Sequence, residues 1–344
     1  MNEGSALGKV FSCKKDSFYR VMDDGRVDWR RIGYAIYLQL VALISRRADA
    51  KGLTRCVILD DTDLPKRGYK AEGLGKVFSP VMRRILWFKT LFLCYTDGKT
   101  QLMVDATIQA ETGKDTNKPQ GLTKKQKAAQ YSKGRGEDEK VNTRKAEMLQ
   151  SKIANAIKML RMAILEGVRL DYLLVDSWFP RAELLQFIHS RRFKCHIIGM
   201  IKMGRTKYGT ALGNLSAPDI ITKPEKPRQT KRNRSIGHKT ASIKARYAGM
   251  DVQLFFYKKG NGSWNALVTT DMGIDANEAF KLYARRWCIE VAHKEMKELE
   301  LLNLGKCQCV DFAGQVAALS LCMIQYIGHR QAVRIVRDHW RPVR

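Results

Sequence analysis

Residues 56–63, Cys56-Val57-Ile58-Leu59-Asp60-Asp61-Thr62-Asp63, set four apolar side chains directly before a cluster of acids. A short unbroken apolar run is how a strand covered on both faces reads. The same design returns at Leu170–Val175, which ends in Asp176. Functional groups collect at strand ends in α/β sheets, so Asp60 and Asp176 become candidate site acids. Outward from these runs, Phe88–Tyr95 and Gln101–Gln109 read as strands joined by the turn Thr96-Asp97-Gly98-Lys99. Lys145–Glu166 has the spacing of one long amphipathic helix, Ala182–Ser190 of a short one, and Phe193–Ile201 of a further strand. This alternation predicts an α/β fold, a three-layer domain around a mixed sheet.

Four segments follow. Residues 1–55 form a small helical N-terminal segment with possible DNA contact, its main helix over Trp29–Ala48. Residues 56–202 are the first part of the core. Within them Thr112–Arg144 is polar and Lys-rich, a loop or mobile lid over a basic surface. Residues 203–275 read as a β-rich insertion, with strands at Ser242–Tyr247, Val252–Tyr257 and Trp264–Thr269 and a basic loop over Lys223–Lys239. Residues 276–344 carry a strong helix, Asn277–Leu299, opened by Asp275 with Glu278 three residues on, and then a mostly helical tail.

Composition narrows the partner. The 344 residues are 44% hydrophobic, enough for a core, and carry 62 Lys and Arg against 34 Asp and Glu, a net charge of +28. So strong a positive balance calls for a polyanion, with nucleic acid first. The eight cysteines include no Cys-x-x-Cys pair, and Cys94 and Cys322 lie in apolar runs, so reduced core thiols in a cytoplasmic protein are expected. The longest apolar run, Val316–Ile327, is too short to cross a bilayer, and the opening residues lead us to expect no signal peptide.

On the late helix, at about 100° per residue, Tyr283, Arg286, Glu290 and Lys297 fall within roughly 60° of arc. The stripe sets an acid between cations. Glu290 can hold a metal ion while Arg286 and Lys297 grip phosphates of one strand. A solvated face with an Arg286–Glu290 ion pair has the same spacing. Asp60, Asp176 and Glu290, three carboxylates without thiolate or imidazole partners, suit Mg²⁺. Two such ions about 4 Å apart activate an attacking oxygen and stabilise a leaving one. Other residues compete or stand nearby. Asp61, expected on the opposite strand face, and Asp63 rival Asp60, and Asp105-Ala106-Thr107 repeats its Asp-x-Thr pattern in mid-strand. Asp171 begins its strand, at the wrong end, and His293 is expected on the helix surface. Lys66-Arg67-Gly68 reads equally as a DNA backbone contact or a charged turn. In the basic loop, Lys231, Arg232 and Arg234 are favoured for phosphate contact.

Tyr283-x2-Arg286-x3-Glu290-x6-Lys297 resembles the Tyr-Arg-Glu-Lys signature of DDE transposases of the insertion-sequence-four type. Leu59-Asp60-Asp61-Thr62 and Leu174-Val175-Asp176-Ser177 resemble that family's first and second acids. The resemblance runs from about Val57 to Lys297. It implies a ribonuclease-H-like core interrupted by a β-rich insertion, with Asp60, Asp176 and Glu290 catalytic. It further implies Mg²⁺-dependent cleavage at transposon ends and strand transfer into target DNA, with two Mg²⁺ for which Mn²⁺ substitutes. Tyr283, Arg286 and Lys297 would hold the end's phosphates, and Trp264 stands where some relatives receive a flipped base. A half-buried strand tryptophan fits Trp264 equally well. Double-stranded DNA, a homodimeric synaptic complex and a nucleoid-associated bacterial location complete the expectation. Relatives of that type often carry a longer N-terminal domain, so either end recognition is compact here or the chain is a shortened product of a longer frame. Two rival readings share the acids: a non-catalytic or decayed DNA-binding protein, and a ribonuclease-H-like nuclease without strand transfer. The nuclease gives no reason for the Tyr-Arg-Lys stripe.

Overall fold

The computed structural model describes residues 15–50, 52–77, 85–110, 117–190, 195–222, 231–233, 237–299 and 302–339. In chain order these hold α1 (Lys15–Met22), α2 (Trp29–Ala50), β1 (Cys56–Pro65), β2 (Gly75–Val77), β3 (Ile85–Thr96) and β4 (Gln101–Gln109). A 3₁₀ turn (Pro119–Gly121) then leads to α3 (Lys124–Ala128), α4 (Lys140–Met148), α5 (Lys152–Leu165), β5 (Tyr172–Val175), α6 (Ala182–His189) and β6 (His196–Ile201). Next come β7 (Lys207–Thr210), β8 (Gly213–Ser216), α7 (Ala217–Thr222), β9 (Lys231–Asn233), β10 (His238–Tyr247), β11 (Met250–Lys258) and β12 (Asn265–Thr269). The chain closes with α8 (Ala276–Ala284), α9 (Trp287–Glu298) and α10 (Phe312–His339).

Alternation along β1 sorts the molecule into layers. Val57 and Leu59 join one buried cluster, with Tyr34 and Tyr37 of α2, Met159 and Leu160 of α5, and Leu184 and Leu185 of α6. Cys56 and Ile58 join the other, with Leu282 of α8, Ile289 and Met296 of α9, and Val316 and Tyr326 of α10. Successive side chains of a strand point to opposite faces, so a strand buried on both needs the unbroken apolar run that 56–59 supplies. The sheet is mixed: β1 pairs antiparallel with β3 and parallel with β5, and β5 parallel with β6. The α/β class and the helical segments at both ends stand as expected.

Several boundaries differ from the sequence reading. The helix expected over Lys145–Glu166 is two, α4 and α5, because Ser151 stops and restarts the chain: its hydroxyl accepts from the Ala154 amide at 3.1 Å and caps α5. The described part of Thr112–Arg144 is irregular over 129–139, as a loop should be, but it also holds a 3₁₀ turn, α3 and the first turn of α4. Thr123 and Gln126 close a capping box at α3, and Arg135 ties the segment to Glu72 (2.6 Å) and Asp311 (2.7 Å). The strands read in 203–275 pair antiparallel with one another, and β12 pairs antiparallel with β6, so they continue the core sheet to twelve strands. The helix expected over Asn277–Leu299 breaks at Arg285-Arg286, where the Arg286 amide bonds the Tyr283 carbonyl in a tighter turn. The seven described cysteines are free, and no described helix is long and apolar enough to cross a membrane.

Candidate active site

Register brings the two strand-end acids together. Leu59 lies beside Val175 on parallel neighbours, so Asp60 and Asp176 follow at the same end. They also share a face: Ile58 and Leu174, two residues before each, both belong to the cluster under α8–α10. The turn after β5 is seated by a missing side chain. A Cβ on Gly199, opposite Val175 on β6, would come within 2.7 Å of Pro180 and Val175. Within that turn, the Trp178 amide donates to Asp176 Oδ1 at 2.9 Å.

Helices α8 and α9 deliver the stripe to this face. Arg286 Nη1 donates to Asp60 Oδ2 at 3.1 Å, and its Nη2 bonds Glu290. The guanidinium stands 6.0 Å from the Tyr283 ring centre. Lys297 Nζ donates to Thr62 Oγ1 at 2.6 Å. Tyr283, Arg286, Glu290 and Lys297 therefore line the same face of β1 as Asp60, despite the break between α8 and α9.

The electrostatics are those of a charge held at a cost. Burial, joined by the Asp176 charge, pushes the Asp60 carboxyl up to about 7 against the pull of Arg286. Burial lowers the Lys297 ammonium, with Asp63 opposing. Burial and the Asp176 charge raise the Tyr283 phenol against Arg286. Three hard carboxylates, Asp60, Asp176 and Glu290, the first of them buried and so raised, form a donor set suited to a divalent cation. As arranged, however, no group of three His, Cys, Asp or Glu among the described residues surrounds one point. The reason is plain in the geometry: Arg286 fills the space between Asp60 and Glu290.

The other candidates part company here. Asp61 points the opposite way, to Lys152 (3.0 Å) and Lys89 (3.7 Å). Asp105 is locked with Arg30 (2.9 Å), within a buried cluster that includes Glu147 and Tyr34. Asp171 pairs with Arg55 (2.7 Å) at the far end of β5. His293 is not on the helix surface: it is buried against Phe92, and burial with the Lys297 and Arg286 charges takes its imidazole down to about 3. Lys66 is buried too, its Nζ donating to the Cys307 carbonyl at 2.6 Å. Trp264 is half-buried against the cluster on the α5–α6 side of the sheet, away from Tyr283 and Arg286. Lys231 and Arg232 lie on β9, whose backbone pairs with β10, and Arg234 falls outside the described residues. Sequence reading missed the Arg30–Asp105–Glu147 cluster, whose members are 42 to 117 positions apart and share no motif.

Residues 7–253 match the DDE superfamily endonuclease family, and the chain belongs to it. The match includes Asp60 and Asp176 and ends before α8 and α9. Among solved structures, a piggyBac transposase in a synaptic complex with hairpin DNA is similar at 12% identity and a TM-score of 0.43, over 81% of this chain and 48% of that one. The present chain thus spans about half that transposase's length. The NurA nuclease of Sulfolobus solfataricus aligns at 11% identity and a TM-score of 0.28, over 90% of this chain and 99% of that one. No curated protein matches the chain.

Proposed function

We propose that this DDE-family endonuclease is a DNA transposase of the insertion-sequence-four type, cleaving transposon ends and joining them to target DNA. What carries the reading is one juxtaposition: Asp60 and Asp176 at adjacent strand ends, with Arg286 tying Asp60 to Glu290 and Lys297 bonded to Thr62 on the same face. Asp60, Asp176 and Glu290 would hold Mg²⁺, with Arg286 released from between the carboxylates toward a DNA phosphate. When bound, the metal polarises the phosphodiester and makes the attacking oxygen more acidic. Arg286 offers a fork of donors to a phosphate, and Lys297 a point charge one helix end away. In cleavage, water oxygen forms the new P–O bond as the bond to the 3′ oxygen breaks, freeing a 3′-hydroxyl. In transfer, that hydroxyl displaces a 3′ oxygen of the target. Two copies acting on paired ends belong to the same reading.

Glu290→Gln is expected to abolish Mg²⁺-dependent nicking of a transposon-end duplex while leaving its binding unchanged. Nicking that persists rejects the assignment. A precut end with a free 3′-hydroxyl separates a transposase from a nuclease, since only the former yields a joined product.

One observation favours a second reading, a DNA-binding relative without chemistry: the guanidinium occupies the place a shared metal needs. Calorimetric Mg²⁺ titration of the DNA complex decides between them. Uptake lost in Asp60→Asn supports the enzyme, and no uptake supports the scaffold.

A further inference from the structure

Beyond Pro65 the chain carries a cationic surface that none of the catalytic roles uses. Residues 67–77 and 117–131 are locked together by one backbone bond and one side-chain bond: the Tyr131 amide donates to the Lys70 carbonyl at 2.7 Å, and the Gln130 side-chain Nε2 to the Leu74 carbonyl at 2.6 Å. Two glycines allow the close approach. A Cβ on Gly75 would come within 2.7 Å of Gln120, and one on Gly121, whose φ is +70°, within 2.9 Å of Lys76. On this paired scaffold Arg67, Lys70, Lys76, Lys118, Lys124 and Lys125 are all exposed. None of the six makes an ion pair among the described residues. The one acid in these two stretches, Glu72, is buried and already held by Arg135 and Lys145. Cations placed so densely with no counter-charge repel one another unless an external polyanion covers them.

Position supplies the partner's geometry. Lys66, bonded to the Cys307 carbonyl, and Lys297, bonded to Thr62, anchor the start of this surface at the acid-bearing end of β1. Five residues separate Asp60 from Pro65, about 17 Å along a strand. Phosphates on one strand of a duplex are spaced by about 3.4 Å along the axis, so the surface begins about five base pairs from a phosphate at the acids.

We infer that the Arg67–Lys76 and Lys118–Lys125 surface is a duplex-DNA cradle that grips the backbone of the arm running away from the site. It rests on the reading of the acids as a DNA-processing centre, and it reads phosphates without reading sequence. The test measures binding of a random 20-base-pair duplex by fluorescence anisotropy across a salt series. Two triple variants are compared with wild type, R67Q/K70Q/K76Q and K118Q/K124Q/K125Q, each checked for an unchanged thermal melt. Each phosphate contact adds about 0.9 to the slope of log affinity against log salt. Each triple is therefore expected to flatten the slope by about 2.7 and to weaken binding at least tenfold near 100 mM salt. The K118R/K124R/K125R variant, which keeps the charge, should bind as wild type does. Affinity and slope within twofold of wild type in both triples, or wild-type chain that does not bind the duplex, overturns the cradle. Glu290→Gln run in parallel keeps the failures apart: nicking that survives there removes the catalytic reading while the slopes still decide the cradle.

Discussion

Asp60 and Asp61 are chemically alike and one position apart, and strand alternation gives them different work. Asp60 meets Arg286 in a buried setting that raises its carboxyl to about 7, whereas Asp61 is spent on Lys152 and Lys89. Asp60→Ala is expected to eliminate cleavage. Asp61→Ala should keep it within a few-fold and cost about 1 kcal/mol of stability through the lost, partly buried ion pairs. Nicking assays beside denaturant melts check both, and the reverse ranking would exchange the two assignments. The motif alone left Asp60, Asp61 and Asp63 in competition, because a run of acids does not say where the strand's pleat points each one.

At the scale of elements, two buried ion clusters hold helices to the sheet. Arg30 of α2 joins Asp105 of β4 to Glu147 of α4. Removing one partner of such a cluster strands buried charge, so Arg30→Met should destabilise the fold by about 3 kcal/mol in urea melts, with no change in the slope of DNA binding. Glu72 anchors the 117–148 segment through Arg135 and Lys145. Burial pushes its carboxyl up, yet these cations and the Phe312 amide prevail and hold it at about 2, below the ordinary 4.5. A carboxyl so depressed stabilises the fold fully above its unfolded value, and that contribution drains away as pH falls from about 4.5 toward 2. Thermal melts from pH 6 to pH 2.5 should therefore show a shallower acid loss in Glu72→Gln than in wild type. Gly199 makes the third case. Gly199→Ala forces apart β6 and the turn bearing Asp176, and is expected to cost about 1–3 kcal/mol and to lower cleavage more than DNA binding. Helix spacing was readable in the sequence for α5, α8 and α9. Their breaks were not, since Ser151 and Arg285-Arg286 interrupt patterns whose apolar spacing runs straight through.

Across the whole molecule, a net charge of +28 accompanies a small acidic focus. Local motifs account for the focus, but the cationic surface arises only when residues 67–77 and 117–131 lie side by side. The strands of 203–275 are the other case. Their short runs and Gly turns are plain in the sequence, yet nothing local says that β12 will pair with β6 and continue the sheet.

Read without coordinates, the chain already declares its α/β class, the two strands that end in acid and the stripe from Tyr283 to Lys297. Those features arise from contacts within a few residues, where strand and helix periodicities act. Packing alone set Arg286 between Asp60 and Glu290, buried His293 and turned Trp264 to the opposite face of the sheet. Such outcomes depend on which surfaces meet across hundreds of residues, and the free energy of burial that selects them is not carried by any short stretch.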